Sequence, residues 1–171
     1  MELTDIMPAE DWRKLAEEIY TRFGLNGGVY DKNAMLVHSS TGWANQICPG
    51  IRGGDSRVIC ISASQRFSKL AKEKKETIIE ECDAGFVKFV VPILVNDEFL
   101  GLAGGCGSLL EDSEADSFYI GKLLKKEEEE IKDLLTTVCL ISQDKLAEAI
   151  NYVQEKVREN LRKKGLSEKI S

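Results

Sequence analysis

At 171 residues, 43% of them hydrophobic, the chain is long enough to bury one substantial core and too short for two, so residues 1–171 are expected to form a single domain. A formal net charge of -6 argues against a nucleic-acid surface, because neutralising phosphates needs a clustered excess of Lys and Arg. The opening MELTDIMPAEDW has neither a basic n-region nor an apolar h-region, and no stretch approaches the roughly 18 apolar residues of a membrane helix.

The expectation is therefore a cytoplasmic chain with no membrane segment. In a reducing compartment, five irregularly spaced cysteines do not read as a disulfide framework, which leaves metal binding, redox chemistry or burial.

In chain order, PAEDWRKLAEEIYTRFG places Trp12, Leu15, Ile19 and Phe23 on one helical face, with Pro8 suited to the first turn and Gly24 to the end. GGVYD and AMLVHS, around the polar turn DKN, read as a hairpin. The glycine-rich ICPGIRGGDSRVIC, residues 47–60, reads as a loop. Ser62 or Ser64 then caps a helix through QRFSKLAKEKK, whose Phe67, Leu70 and Ala71 share a side.

From Thr77 to Leu110 the character changes to β-branched and apolar runs: TIIEEC, FVKFVVPILV and EFLGLAGGCGSLL, the last two joined at Asn96-Asp97. Pro92 cannot donate to a ladder and marks an edge or a bulge. YIGKLLKKEEEEIKDLLTT aligns Ile120, Leu123, Leu124, Ile131, Leu134 and Leu135 at helical intervals, with Glu127 to Glu130 as a solvated face. Cys139, amid Leu135, Val138, Leu140 and Ile141, is expected in the core.

After Ser142, a natural N-cap, residues 143–164 form an amphipathic helix with the stripe Leu146, Ala149, Ile150, Val153, Val157 and Leu161. That stripe suits docking on the sheet or pairing with a second copy, and the basic run Arg162 to Lys164 suits the helix end. The sum is an α+β domain: a PAS- or GAF-like antiparallel sheet flanked by N-terminal and C-terminal helices.

No glycine-rich stretch has the form of a phosphate-binding loop. The single histidine, His38, ends a strand far in sequence from every cysteine and reads as an edge residue rather than a Cys-His partner. Cys48, Cys60, Cys82 and Cys106 are separated by 11, 21 and 23 residues, matching neither zinc-ribbon nor ferredoxin spacing.

If Val95 faces Glu98, Cys106 falls opposite about Val87, and a bend at Ala84 and Gly85 brings Cys82 to the same end of the sheet. Glycines crowd these thiols and suit a close backbone approach to a ligand. Packing, a thiolate-bound metal or cluster, and reversible disulfide chemistry all remain open at this point. Arg52 and Arg57 flank the first cysteine pair, but no C-x2-C motif is present.

RFGL, VYD, ICPGIR, VIC and, most specifically, Cys82-x-Ala84-Gly85-Phe86 followed by Pro92-Ile93, Leu100-Gly101 and Gly105 resemble the PocR sensory domain over nearly the whole chain. The resemblance implies a PAS-like prokaryotic signal-input domain for small hydrocarbon derivatives such as short diols, usually placed ahead of an output module. It implies no enzymatic activity. The family pattern has cysteines matching Cys48, Cys60 and Cys82, whereas Gly105-Cys106 stands where a Gly-Gln pair is common.

No output module follows Lys164, so the expectation is an isolated input domain or an excised piece of a larger protein. Its partners would be a small-molecule ligand and an output protein or a homodimer partner met through the C-terminal helix. The leading expectation is a sensor in which Cys48, Cys60, Cys82 and Cys106 hold an iron-sulfur cluster or, alternatively, zinc. Soft thiolates suit both, and a fourth cysteine closes the coordination shell. The alternatives are a metal-free pocket walled by Trp43, Phe86, Phe89 and Gly105, and a thiol-disulfide switch.

Overall fold

The computed structural model describes residues 1–167. The first amphipathic segment folds as α1 (Leu3–Ile6) and α2 (Ala9–Phe23), with Trp12, Leu15, Ala16 and Ile19 buried. Gly24 ends α2 at φ 68°, and its N–H donates to the Tyr20 carbonyl at 2.9 Å. The Trp12 indole N–H donates to the Leu3 carbonyl at 2.9 Å, which ties the two helices together.

The β-branched runs form β1 (Asn26–Asp31), β2 (Leu36–Ser39), β3 (Ile78–Glu81), β4 (Val87–Val95) and β5 (Glu98–Leu110), in the antiparallel order β2-β1-β5-β4-β3. A short β6 (Leu140–Ile141) lies parallel to the end of β5. Asn96 and Asp97, at φ 49° and 69°, turn the β4–β5 hairpin so that Val95 faces Glu98. The β3 strand pairs with β4 only as far as Val90, so Pro92 lies where that side has no strand partner, beside a register shift at Ile93 and Leu94.

Both sheet faces are covered. Val87, Phe89 and Val91 pack with α2 and α7 (Gln143–Lys163), while Val90 and Leu94 point the other way, toward Phe67 and Ala71 of α4 (Val58–Lys74). Burial on both sides is why β4 reads as a continuous apolar run. Ser142 caps α7 by accepting the Lys145 N–H at 3.1 Å, and all six stripe residues from Leu146 to Leu161 are buried in the core of the chain's own sheet. Docking on the sheet is the role this structure shows for the stripe. No helix among the described residues is long and apolar enough to cross a membrane.

Four local expectations are corrected. The expected loop at residues 47–60 is mostly helical, comprising α3 (Cys48–Gly53), a 3-10 turn at Asp55–Arg57, and the start of α4 at Val58. The Asn45 side-chain oxygen accepts the N–H groups of Ile47 and Cys48, both at 2.8 Å, so the cap lies just before the glycine-rich stretch. Ser62 and Ser64 therefore sit inside α4 rather than at its start.

The expected single helix over residues 119–137 is two, α5 (Ser117–Leu124) and α6 (Glu128–Leu135). Lys125 takes φ 55°, and the Lys126 N–H returns to the Gly121 carbonyl at 2.9 Å. The break puts Glu128, Glu129 and Glu130 in the first turn of α6, where carboxylates suit the dipole, and the acidic run is exposed as expected. Cys139, expected in the core, is exposed: it precedes β6, and in this stretch only Val138 and Ile141 are buried.

Substitutions at two positions measure how tightly α2 seats on the sheet. A Cβ on Gly27 would stand 2.0 Å from the Ala16 carbonyl oxygen, so Gly27→Ala is expected to cost at least about 2 kcal/mol by denaturant unfolding. Ile19→Ala, at a fully buried site, is expected to cost about 2–5 kcal/mol and Ile19→Val only about 0.5–1.5 kcal/mol.

Candidate functional site

The thiols converge from four elements. The β4–β5 ladder sets Cys106 opposite Lys88, one residue from the Val87 that an uninterrupted register gives, because the ladder shifts by one at Ile93/Leu94. The CDAGF segment folds back on itself: the Gly85 N–H donates to the Cys82 carbonyl at 2.8 Å and the Cys82 N–H to the Phe86 carbonyl at 2.9 Å. Gly85 accommodates this turn at φ 90°. Cys48 opens α3, and Cys60 lies in the first turn of α4.

All four cysteines line one inner chamber of about 40 Å³, with Trp43, Ile51, Ile59, Ala63, Ala84 and Phe86 as apolar wall. Its polar groups come from Asn26, Arg52, Ser64 and Lys88. Arg52, Cys60 and Ser64 also line an adjoining outer groove of about 280 Å³, together with Tyr30, Met35, Leu36, Arg57 and Ile61. The chamber and the groove thus meet along one face of α4.

Lys88 is the most unusual member. It is only 5% exposed, and its Nζ donates to Ser64 Oγ at 3.2 Å and to Tyr30 Oη at 3.4 Å. Burial pulls its pKa down, but the Tyr30 hydroxyl and the Cys106 sulfur more than offset this and hold it above the usual lysine value, so it is a cation at neutral pH.

Burial pushes the Cys48 thiol up to about 12, helped by Cys106, against the Asn45 amide that donates to its sulfur at 3.2 Å. Cys60 and Cys82 are also raised, first by burial. Arg52 opposes the rise at Cys60, and the N–H groups of Phe86 and Ala84 oppose it at Cys82. These three thiols are protonated at neutral pH, the reverse of what a thiol-disulfide switch needs.

Trp43 and Phe86 join the four cysteines at the chamber, with the Arg52 guanidinium 5.2 Å from the Trp43 ring centre. Phe89 and Gly105 do not: Phe89 is buried on the opposite sheet face, and a Cβ on Gly105 would meet Ile19 at 2.9 Å and Leu25 at 3.1 Å. The glycine gap at 105 admits packed side chains rather than a ligand. His38 sits on the edge strand β2, away from the chamber. Sequence reasoning missed Lys88 and Ser64; the available signal was one lysine inside the apolar run FVKFVVPILV.

Among the described residues, no group of three or more His, Cys, Asp or Glu side chains is placed to hold a metal ion. The four thiols share a chamber, but the expected cysteine-ligated metal or iron-sulfur centre gains no support from this side-chain geometry.

The burial pattern predicts the order of thiol modification. With iodoacetamide at pH 8, exposed Cys139 is expected to label first and Cys48 last, with Cys48 labelling fast only after unfolding. Peptide mapping by mass spectrometry checks this, and rapid native labelling of Cys48 contradicts the site as described.

No curated protein matches the chain. A family model described as the sensory domain found in PocR matches residues 5–164. The match takes in α2, the whole sheet, every element lining the chamber and all of α7. The chain belongs to the PocR sensory-domain family.

Proposed function

We propose that this domain is a non-enzymatic signal-input module that senses a small hydrocarbon derivative bound in the cysteine-lined chamber. One observation carries the reading: the chamber combines an apolar wall with converging polar groups from β4, α3 and α4, which is the composition of a small-molecule site. A sensory domain needs such a site, and membership of the family supports the assignment.

A ligand there touches β4 and β5 on one face, while α7 rests on the other face of the same sheet. Binding that favours one packing of α3 and α4 thereby biases the helix best placed to reach an output partner or a second copy.

A thermal-shift screen with short diols, aldehydes and organic acids tests the reading. A ligand at about 100 times its dissociation constant adds about 2.7 kcal/mol, a rise of about 5–10 °C for a chain of this size. Cys60→Phe, which fills the junction of chamber and groove, is expected to remain folded and to lose the shift. A folded Cys60→Phe protein that keeps the full shift places the ligand elsewhere.

A second reading, a thiolate centre of iron-sulfur or zinc type, is favoured by the N–H donors at three sulfurs: Asn45 to Cys48, Arg52 to Cys60, and Ala84 and Phe86 to Cys82. Donors of this kind tune the sulfurs of metal centres. Iron, zinc and sulfide determination on anaerobically purified protein decides it. Folded, metal-free protein removes this reading and leaves the first intact.

A further inference from the structure

Lys88 faces the inner chamber, Arg57 the outer groove, and Arg52 both, yet no Asp or Glu lines either space. The chain carries 29 acidic and 23 basic residues, so a lining with three cations and no carboxylate runs against its composition. None of the three makes an ion pair among the described residues. Around Lys88 stand the hydroxyls of Ser64 and Tyr30, the sulfurs of Cys106 and Cys60, and the rings of Tyr30 at 4.9 Å and Phe67 at 5.5 Å, with no carboxylate among them.

Buried ammonium groups are ordinarily paired with an anion, and a lysine has three N–H donors where these two hydroxyls take two. The third N–H of Lys88 is left for an acceptor that the described side chains do not supply as a carboxylate.

Building on the ligand-binding reading of the chamber, we infer that the ligand is a small carboxylic acid whose carboxylate meets Lys88 and Arg52 and whose hydrocarbon remainder lies in the outer groove. Size agrees with this orientation. A chamber of about 40 Å³ holds about three water-sized groups at ~10–15 Å³ each, which matches the three heavy atoms of a carboxylate. The groove of about 280 Å³ offers Met35, Leu36 and Ile61 to an alkyl chain, with Arg57 at its border. Arg52 has the planar fork that recognises a carboxylate in two-point fashion, and Lys88 adds a point charge behind it.

The experiment compares butyrate and hexanoate with 1-butanol, 1,2-butanediol and inorganic phosphate on the full chain, by thermal shift and calorimetry at fixed ionic strength. The carboxylates are expected to stabilise the protein, hexanoate more than butyrate, with little effect from the neutral compounds or phosphate. Lys88→Met, close in length and free of charge, is expected to fold and to weaken carboxylate binding at least ten-fold. Arg52→Gln, at a partly exposed position, serves as the second variant and is expected to weaken binding in the same direction.

Binding of the diol in preference to butyrate overturns the carboxylate inference while leaving the chamber a ligand site. Equal binding of phosphate overturns the choice of carboxylate, and undiminished carboxylate affinity in both folded variants overturns the roles of Lys88 and Arg52. If none of these compounds binds, the carboxylate inference falls; if the wider screen also yields no ligand, the ligand-binding reading of the chamber falls with it.

Discussion

Strand β4 is buried on both faces, and the rest of the structure follows from how that burial is achieved. A strand of alternating orientation must find cover for two sets of side chains. Here α2 and α7 cover Val87, Phe89 and Val91, while α4 covers Val90 and Leu94. The same alternation commits residue 88 to the α4 side. A lysine at that position enters the interior, where a charge costs several kcal/mol unless it is compensated. The hydroxyls of Ser64 and Tyr30 compensate it in part, and the adjoining space is where further compensation must come from.

The fold was largely legible where periodicity is strong. The stripes of α2 and α7 lie in register with their buried faces, and Asn96-Asp97 makes the hairpin turn its residue types suit. Legibility failed where a short side-chain contact outweighed composition. Asn45 initiates α3 from outside the glycine-rich stretch, so residues 47–60 look like a loop and fold mostly as helix. Lys125 adopts a left-handed conformation without being glycine, which hides the break between α5 and α6.

The candidate site was half legible for similar reasons. The four cysteines and the aromatics Trp43 and Phe86 gather as their residue types suggested, although one register shift, at Ile93/Leu94, displaced Cys106 by one residue. Phe89 and Gly105 were misplaced because strand alternation, not residue type, decides which face they serve. Lys88 escaped notice because a lysine within a strand ordinarily marks solvent exposure, and only the two-sided burial of β4 makes it an interior charge.

The thiols and the cations belong to one electrostatic environment. Three of the sulfurs accept N–H groups, Arg52 stands against Cys60, and Lys88 sits opposite Cys106, so the chamber offers positive potential from nearly every element that lines it. In a chain of net charge -6, such a concentration cannot come from average composition. It is the product of one strand alternation, which turns Lys88 inward, and of Arg52 in the last turn of α3, and it favours a negatively charged occupant whether that charge resides on a ligand's oxygen or on sulfur. Burial raises Cys48, Cys60 and Cys82, so charge on sulfur requires buried thiols to lose their protons, whereas an anionic ligand brings its charge with it.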